Sequence, residues 1–179
     1  MAIPGLCFYN HVAMRPAIEL AIRPVSTPLE ASTCAMIMAS TDPWKRLERG
    51  YETNLKTVTN SEAYVAIESG GEVVGLILVA MNVPLIRGYI VGLAVKEDRR
   101  GRGIGTRLLQ FAEERIFRDS PNVFMCVSTF NRDAQRLYER LGYRRVGELT
   151  DYAIEGEGEI LLRKTLGPYS TFTRRKLET

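Results

Sequence analysis

The 179-residue sequence contains one histidine, His11, and one tryptophan, Trp44. A Ser–His–Asp hydrolase would have to rest on His11, which sits in what reads as an N-terminal extension. The three cysteines, Cys7, Cys34 and Cys126, are widely spaced and odd in number, and no Cys-x-x-Cys occurs. That spacing argues against a zinc site and against a disulfide framework; no metal and a reducing, cytoplasmic setting are expected. Gly-Lys-Ser/Thr is absent, which excludes a Walker phosphate loop. The longest apolar runs, such as residues 73–81, are too short to span a bilayer. The first residues lack the basic and apolar regions of a secretory leader. An excess of one charge is lacking too. Lys and Arg number 24 against 21 Asp and Glu, and a net charge of +3 does not by itself point to nucleic acid.

What is present is ordinary globular composition, 45% apolar and 25% charged, in a length that suits one domain. Residues 1–17 read as an extension without period, residues 18–167 as the folded domain and residues 168–179 as a polar, basic tail. Residues 19–25 read as a first strand. Thr27-Pro28-Leu29-Glu30 reads as a helix start, with Thr27 as N-cap and Pro28 at the first helical position. That helix continues to residue 39, and a second is expected over residues 44–58. Residues 63–68 and 72–81, joined by Ser69-Gly70-Gly71, read as a β-hairpin. Residues 89–95 form another apolar strand. Ile104, Leu108, Ala112 and Ile116 recur at spacing four and predict a helix with one buried face. A strand over 123–128, a helix over 133–140 closed by Gly142, and strands over 144–154 and 159–166 complete a mixed α/β chain without internal repeat.

The most informative segment joins the strand at 89–95 to the helix that follows. It reads Arg99-Arg100-Gly101-Arg102-Gly103-Ile104-Gly105-Thr106. A helix N-terminus presents unpaired N–H groups and about half a positive charge. Glycines let that backbone approach a ligand, and the arginines add fixed charge. The implied chemistry is the binding of a pyrophosphate or similar anion. The dinucleotide pattern Gly-x-Gly-x-x-Gly fails, because counted from Gly101 its third glycine falls on Thr106. Arg/Gln-x-x-Gly-x-Gly is met by Arg100, Gly103 and Gly105. Some 25 residues on, Asn131, Ala134, Tyr138, Gly142 and Tyr143 match Asn-x-x-Ala-x-x-x-Tyr-x-x-x-Gly-Phe/Tyr.

These two signatures, in this order, resemble those of the GNAT acetyltransferase superfamily. The resemblance implies a single GNAT-like domain. Its central, mostly antiparallel mixed sheet would be flanked by helices, with a splayed strand pair forming the CoA cleft. It implies acetyl-CoA as co-substrate and a primary amine as acceptor (a small molecule, a polyamine, or a peptide or protein amine), joined by direct attack in a ternary complex. It further implies that backbone groups of Leu93, Ala94 and Val95 meet pantetheine. Arg100, Gly101, Arg102, Gly103, Ile104, Gly105 and Thr106 would hold the pyrophosphate, Asn131 would bond the pantetheine arm or its ordered water, and Tyr138 would protonate the leaving thiolate. Independently of the family, Tyr138 shares an apolar helical face with Ala134 and Leu141, so a core tyrosine bonded to a carbonyl is the competing reading.

The sequence departs from the family pattern at the general base. Many members carry Glu or Asp on the strand before the loop, and residues 89–95 carry none. The base is then elsewhere, a water chain, or unnecessary; Glu48 and Glu52, on the expected second helix, are the candidates, against a solvated face shared with Lys45, Arg46 and Arg49. Trp44 reads as an anchor of that helix in the core, or as a lid on the acceptor pocket. Cys126 reads as a small core residue. Residues 96–118 carry seven basic and four acidic side chains and residues 132–145 five and two, which suits a ligand with several phosphates. Glu148, Asp151, Glu155, Glu157 and Glu159 form an acidic stretch, which would attract a cationic amine if it faced the acceptor. Two other readings compete: a CoA-binding regulatory module of the same fold with little catalysis, and a nucleic-acid binder using the loop arginines and Arg174-Arg175-Lys176. The latter has no interleaved aromatics to support it. The tail and final strands offer edges for a homodimer.

Overall fold

A computed structural model describes residues 19–173. His11, Cys7 and the basic run at 174–176 lie outside them, as does the whole of the expected N-terminal extension. The described chain runs β1 (Leu20–Pro24), α1 (Pro28–Ser40), α2 (Tyr51–Thr59), β2 (Glu62–Glu68), β3 (Val73–Ala80), β4 (Tyr89–Val95), α3 (Ile104–Phe117), β5 (Asn122–Ser128), α4 (Arg132–Arg140), β6 (Arg144–Leu149) and β7 (Glu159–Thr165). Seven strands form one sheet in the order β1-β2-β3-β4-β5-β7-β6. Every pairing is antiparallel except β4 with β5.

Two apolar layers cover the sheet. On one face α3 buries Ile104, Leu108, Ala112 and Ile116, each at 2% exposure or less, against Ile77, Ile90, Val123 and Met125. The spacing-four pattern thus identifies the buried stripe of α3. On the other face α1, Trp44 and α2 cover Val65, Leu76, Leu78 and Ala94. The N-cap of α1 forms as its sequence predicts: the Thr27 hydroxyl accepts from the Glu30 N–H at 3.1 Å, and Pro28 opens the helix.

Two expected elements are shorter than predicted, one starting late and one ending early. Residues 42–48 form a turn rather than the first half of a helix, and α2 begins only at Tyr51. Glu48 within this turn has φ +52°, and Trp44 is buried. The expected strand over 144–154 stops at Leu149. Asp151 there has φ +52°, and its carboxylate accepts the Gly156 N–H at 2.7 Å. At the end of β6 a local polar turn competes with the regular ladder, whereas at 42–48 burial of Trp44 draws the chain out of the helix.

The irregularity that shapes the functional cleft lies in β4. Leu78 pairs with Gly92, but Val79 pairs with Ile90, so Val91 is an extra residue on β4. Such a bulge bends its strand and disrupts the ladder. The parallel pairing of β4 with β5 covers only Tyr89–Phe124 and Ile90–Met125, and beyond Ile90 the two strands part.

Candidate functional site: a cleft between splayed strands

The gap between β4 and β5 opens into a cleft of about 990 Å³. In an antiparallel ladder the N–H and C=O of alternate residues point to opposite sides. The Lys96 N–H bonds to the Val74 carbonyl at 2.9 Å, on the β3 side. By that alternation the amides of Leu93 and Val95 face the gap left by β5, whereas the Ala94 amide belongs to the β3 ladder. All three residues line the cleft. Apart from the Val95 carbonyl, which accepts from Arg100, the exposed strand edge thus offers unpaired backbone groups suited to an extended, amide-bearing ligand.

At the far end of β4 the chain enters the glycine loop. Gly101 and Gly103 have φ of +73° and +79°, and a Cβ on either would meet nothing within 4 Å. The open backbone therefore faces the cleft. The first bond of α3 runs from the Arg107 N–H to the Gly103 carbonyl at 3.1 Å, which leaves the Ile104, Gly105 and Thr106 N–H groups at the open helix end. The loop is fixed from below. Arg99 reaches Glu68 at 3.2 Å and Glu72 at 3.0 Å on the β2–β3 hairpin, and Lys96 reaches Glu72 at 2.7 Å. Arg100 and Arg102 instead donate to the Val95 and Asp98 carbonyls, each at 3.3 Å, and neither meets a described carboxylate. Their charge is left for a ligand. Arg100, Gly101, Gly103, Ile104, Gly105 and Thr106 line the cleft; Arg102 is exposed beside it. A polyanion on an extended stem fits this donor set: open N–H groups, two unneutralised guanidinium groups, and a free strand edge leading away from them.

The opposite wall is α4. Asn131 caps it by accepting the Ala134 N–H on Oδ1 at 3.2 Å, which leaves its amide N–H₂ for the cleft. Tyr138 is half-buried and packs against the Tyr143 ring with centroids 6.0 Å apart. Burial pushes the Tyr138 phenol up to about 12, so it stays protonated across the neutral range. Its hydroxyl makes no hydrogen bond with a described residue, unlike the carbonyl-bonded core tyrosine that competes with the acid reading.

The remaining sequence candidates fall elsewhere. Glu48 and Glu52 are exposed, on a turn and on α2 respectively, and neither lines the cleft. They do not share a helical face, because Glu48 precedes α2. Trp44 lies in the 42–48 turn rather than on the expected helix. It lies in the core at 6% exposure and also lines the cleft, packed so closely on Gly92 that a Cβ there would meet its ring at 2.9 Å.

The inner end of the cleft holds residues that sequence reasoning did not single out as a site. Tyr89 of β4, Cys126 and Ser128 of β5, and Glu159 of β7 all line it, with Tyr152 of the β6–β7 loop. Burial first, and neighbouring Cys126 second, push the Tyr89 phenol well above its usual range; burial likewise raises the Cys126 thiol. The acidic stretch divides by partner: Glu148 pairs with Arg145, Glu157 with Arg46, and Glu159 turns inward. The Arg46–Glu157 pair ties the 42–48 turn to the β6–β7 loop, with the Arg46 guanidinium 4.2 Å from the Phe130 ring centre. Among the described residues no group of three or more His, Cys, Asp or Glu is arranged to hold a metal, and no helix is long and apolar enough to cross a membrane.

Comparison with known proteins agrees with this architecture. The chain is 42% identical over 107 residues to an uncharacterised N-acetyltransferase of Methanocaldococcus jannaschii, covering 56% of this chain and 64% of that one. It is 32% identical over 117 residues to an N-alpha-acetyltransferase of Sulfurisphaera tokodaii, covering 58% and 70%. The chain thus spans somewhat less than two thirds of the first of these relatives. Among solved structures, an aminoglycoside 6'-N-acetyltransferase complexed with coenzyme A superposes with a TM-score of 0.66 at 20% identity, over 83% of this chain and 98% of that one. A chain of the NatC complex bound to Gag peptide and CoA gives 0.68 at 20% identity, over 84% and 100%. The sequence model of the Acetyltransferase (GNAT) family matches residues 30–143, from α1 through the cleft to the end of the Tyr138 motif, and the chain belongs to that family.

Proposed function

We propose that this protein transfers the acetyl group of acetyl-CoA to a primary amine by direct attack within a ternary complex. The observation that carries the reading is the convergence on one cleft of a free strand edge, an open helix N-terminus with unneutralised arginines, and an unbonded phenol. Acetyl-CoA carries a pyrophosphate, an amide-bearing pantetheine arm and a thioester, in that order. The residues that would hold it follow the same order: Arg100 and the 101–106 backbone at the pyrophosphate, the Leu93 and Val95 amides along the arm, and Asn131 beside it. Acetyl-CoA supplies an activated acyl carbon. The protein's part is to hold that carbon still, to polarise its carbonyl through a β4 amide, and to supply a proton from Tyr138 to the departing sulfur. CoA-bound relatives of the same fold and relatives named as N-acetyltransferases support this reading.

Calorimetric titration with acetyl-CoA and dephospho-CoA tests it. Wild type is expected to bind in the micromolar range. Gly103→Glu, which puts a carboxylate beside the phosphates at a residue with φ +79°, is expected to lose that binding while keeping its fold. Absence of binding by wild type overturns the proposal.

A further inference from the structure

A carboxylate withdrawn from water is costly unless a cation or several donors meet it. Three carboxylates line the cleft. Asp42 and Asp133 are exposed, and Asp133 pairs with Arg136. Glu159 is half-buried and forms no ion pair with a described cation. Its Oε1 accepts from the Ser128 hydroxyl at 2.5 Å, and no described group donates to Oε2.

Sheet register explains why it points inward. Ser128 lies opposite Glu159, Cys126 opposite Leu161, Phe124 opposite Arg163, and Tyr89 pairs with Phe124. Directly opposed residues share a face, so Tyr89, Cys126, Ser128 and Glu159 lie on one face, the side of Trp44 rather than of α3. The groups around Glu159 are neutral: Tyr89 from β4, Cys126 and Ser128 from β5, and Tyr152 from the β6–β7 loop. Of the cations on this side of the sheet, Arg46 is held by Glu157, Arg163 donates to Asn122, and Arg49 is exposed on the cleft wall. Trp44, Leu47 and Val91 make the adjoining wall apolar. A negative group set among neutral hydroxyls beside apolar carbon is complementary to a cation on an apolar stem. The oxygens of Glu159, Tyr89 and Ser128 offer three acceptors, the number of N–H donors on a primary ammonium.

We propose that Glu159 is the acceptor-ammonium site: it seats a primary ammonium carried on an apolar stem and takes the first proton that nitrogen must lose. This deepens the acetyl-transfer reading and rests on it. The ammonium gives one proton to the Glu159 carboxylate, which passes it to water, and the freed lone pair forms the N–C bond at the thioester carbon. The C–S bond breaks and the sulfur takes the Tyr138 proton. The second proton leaving nitrogen restores the Tyr138 hydroxyl through water. The net change is ammonium plus thioester to amide, thiol and one released proton.

Three probes present the same chemistry from different sources: a hexapeptide with a free N-terminal alanine, Nα-acetyl-lysine methylamide, and putrescine. Wild type is expected to acetylate at least one. Glu159→Gln keeps the size of the side chain but removes the charge. It is expected to bind acetyl-CoA within about twofold of wild type and to lower kcat/KM for that amine about 10- to 100-fold, the span of a charge-assisted bond. Ser128→Ala, which removes the hydroxyl positioning the carboxylate, is expected to raise KM for the amine more than it lowers kcat. If Glu159→Gln also loses acetyl-CoA, it is misfolded, and Ser128→Ala decides. Normal kcat/KM in Glu159→Gln, or an unchanged KM in Ser128→Ala where it decides, overturns the Glu159 assignment and leaves the acetyl-transfer reading standing. Acetyl-CoA binding with none of the three amines acetylated also overturns the assignment. No acetyl-CoA binding by wild type overturns both.

Discussion

Replacing Tyr138 by Phe separates chemistry from architecture, because the ring and the hydroxyl have different neighbours. The ring packs from α4 onto the core on the α3 side of the sheet and against Tyr143, and Phe keeps that packing. The hydroxyl has no described hydrogen-bond partner, so its removal breaks no bond of the folded protein. The stability change is expected to stay within about 0.5 kcal/mol, as for substitutions that touch no special feature. The functional loss is larger. A hydrogen bond to a charged group is worth about 1.5–3 kcal/mol, and the thiolate forming in the transition state would lose one. That corresponds to roughly 10- to 150-fold in kcat, with acetyl-CoA affinity within twofold. The pH dependence follows from the phenol standing at about 12, above its ordinary value near 10. The protonated donor persists through neutral and mildly alkaline pH and is lost only as pH rises through about 12. The linked contribution to stability is complete below pH ~10 and disappears over the same rise. The assay is steady-state kinetics with a thermal melt of both proteins. A kcat within twofold of wild type, in a variant that melts normally and binds acetyl-CoA, refutes the acid role.

Three structural predictions follow from particular contacts. Gly88→Ala should destabilise by about 2 kcal/mol or more, because the residue has φ +86° and its Cβ would meet Ile116 at 2.5 Å and the Asn122 carbonyl at 2.6 Å; a urea midpoint equal to wild type contradicts this. Thr27→Ala should cost about 1 kcal/mol in chemical denaturation through loss of the α1 cap, and Thr27→Ser should restore most of it. Glu30 is held down at about 2, chiefly by Arg23 and next by the Ser26 N–H. Its contribution is therefore present above pH ~4.5 and lost as pH falls through about 2. Glu30→Gln should flatten that part of the acid-stability profile, which denaturation at pH 7, 4 and 3 measures.

Local rules found what local physics controls. The four-residue spacing of Ile104, Leu108, Ala112 and Ile116 gave the buried face of α3, and Thr27-Pro28 gave the start of α1. The glycine loop was legible because a helix end and a glycine backbone declare their chemistry in sequence, whereas Asn131 was singled out only through the family resemblance; both line the cleft. Three features were not legible. A helix from 44 was expected because helix formers follow Asp42-Pro43. Instead Trp44 is drawn into the core beside Gly92, and tertiary packing overrides propensity. Glu48 and Glu52 were paired on the strength of that helix and part company without it. Glu159 was visible only as one acid among five. Whether it faces solvent or the cleft depends on its pairing with Ser128, across 31 positions of sequence. The alternation along β7 groups Glu159 with Leu161 and Arg163, but only the strand opposite says which face that is.

The extra residue Val91 couples the two halves of the cleft. On one side of it Gly92 and Ala94 face Trp44 and α1, while Leu93 and Val95 face α3. On the other side Ile90 is buried under α3, and Tyr89 faces the side of Glu159. A regular β4 that kept the Gly75–Val95 and Leu78–Gly92 register would exchange the last two, since a one-residue slip turns every later side chain over. Ile90 would then leave the α3 core and Tyr89 would enter it, and the inner end of the cleft would lose its phenol. The same bulge lies where pairing with β5 ends, so the backbone edge opens and the faces switch at one place. A ligand lying along Leu93 and Val95 therefore has its inner end next to the face that carries Tyr89, Cys126, Ser128 and Glu159. The thioester carbon of a bound acetyl-CoA would lie at this switch, between the backbone that holds the donor and the side chains that receive the acceptor. The pattern also accounts for the absence of a carboxylate on β4. The charge is carried two strands away on β7, on the face the bulge makes available, where β5 interposes only Cys126 and Ser128 between Tyr89 and Glu159.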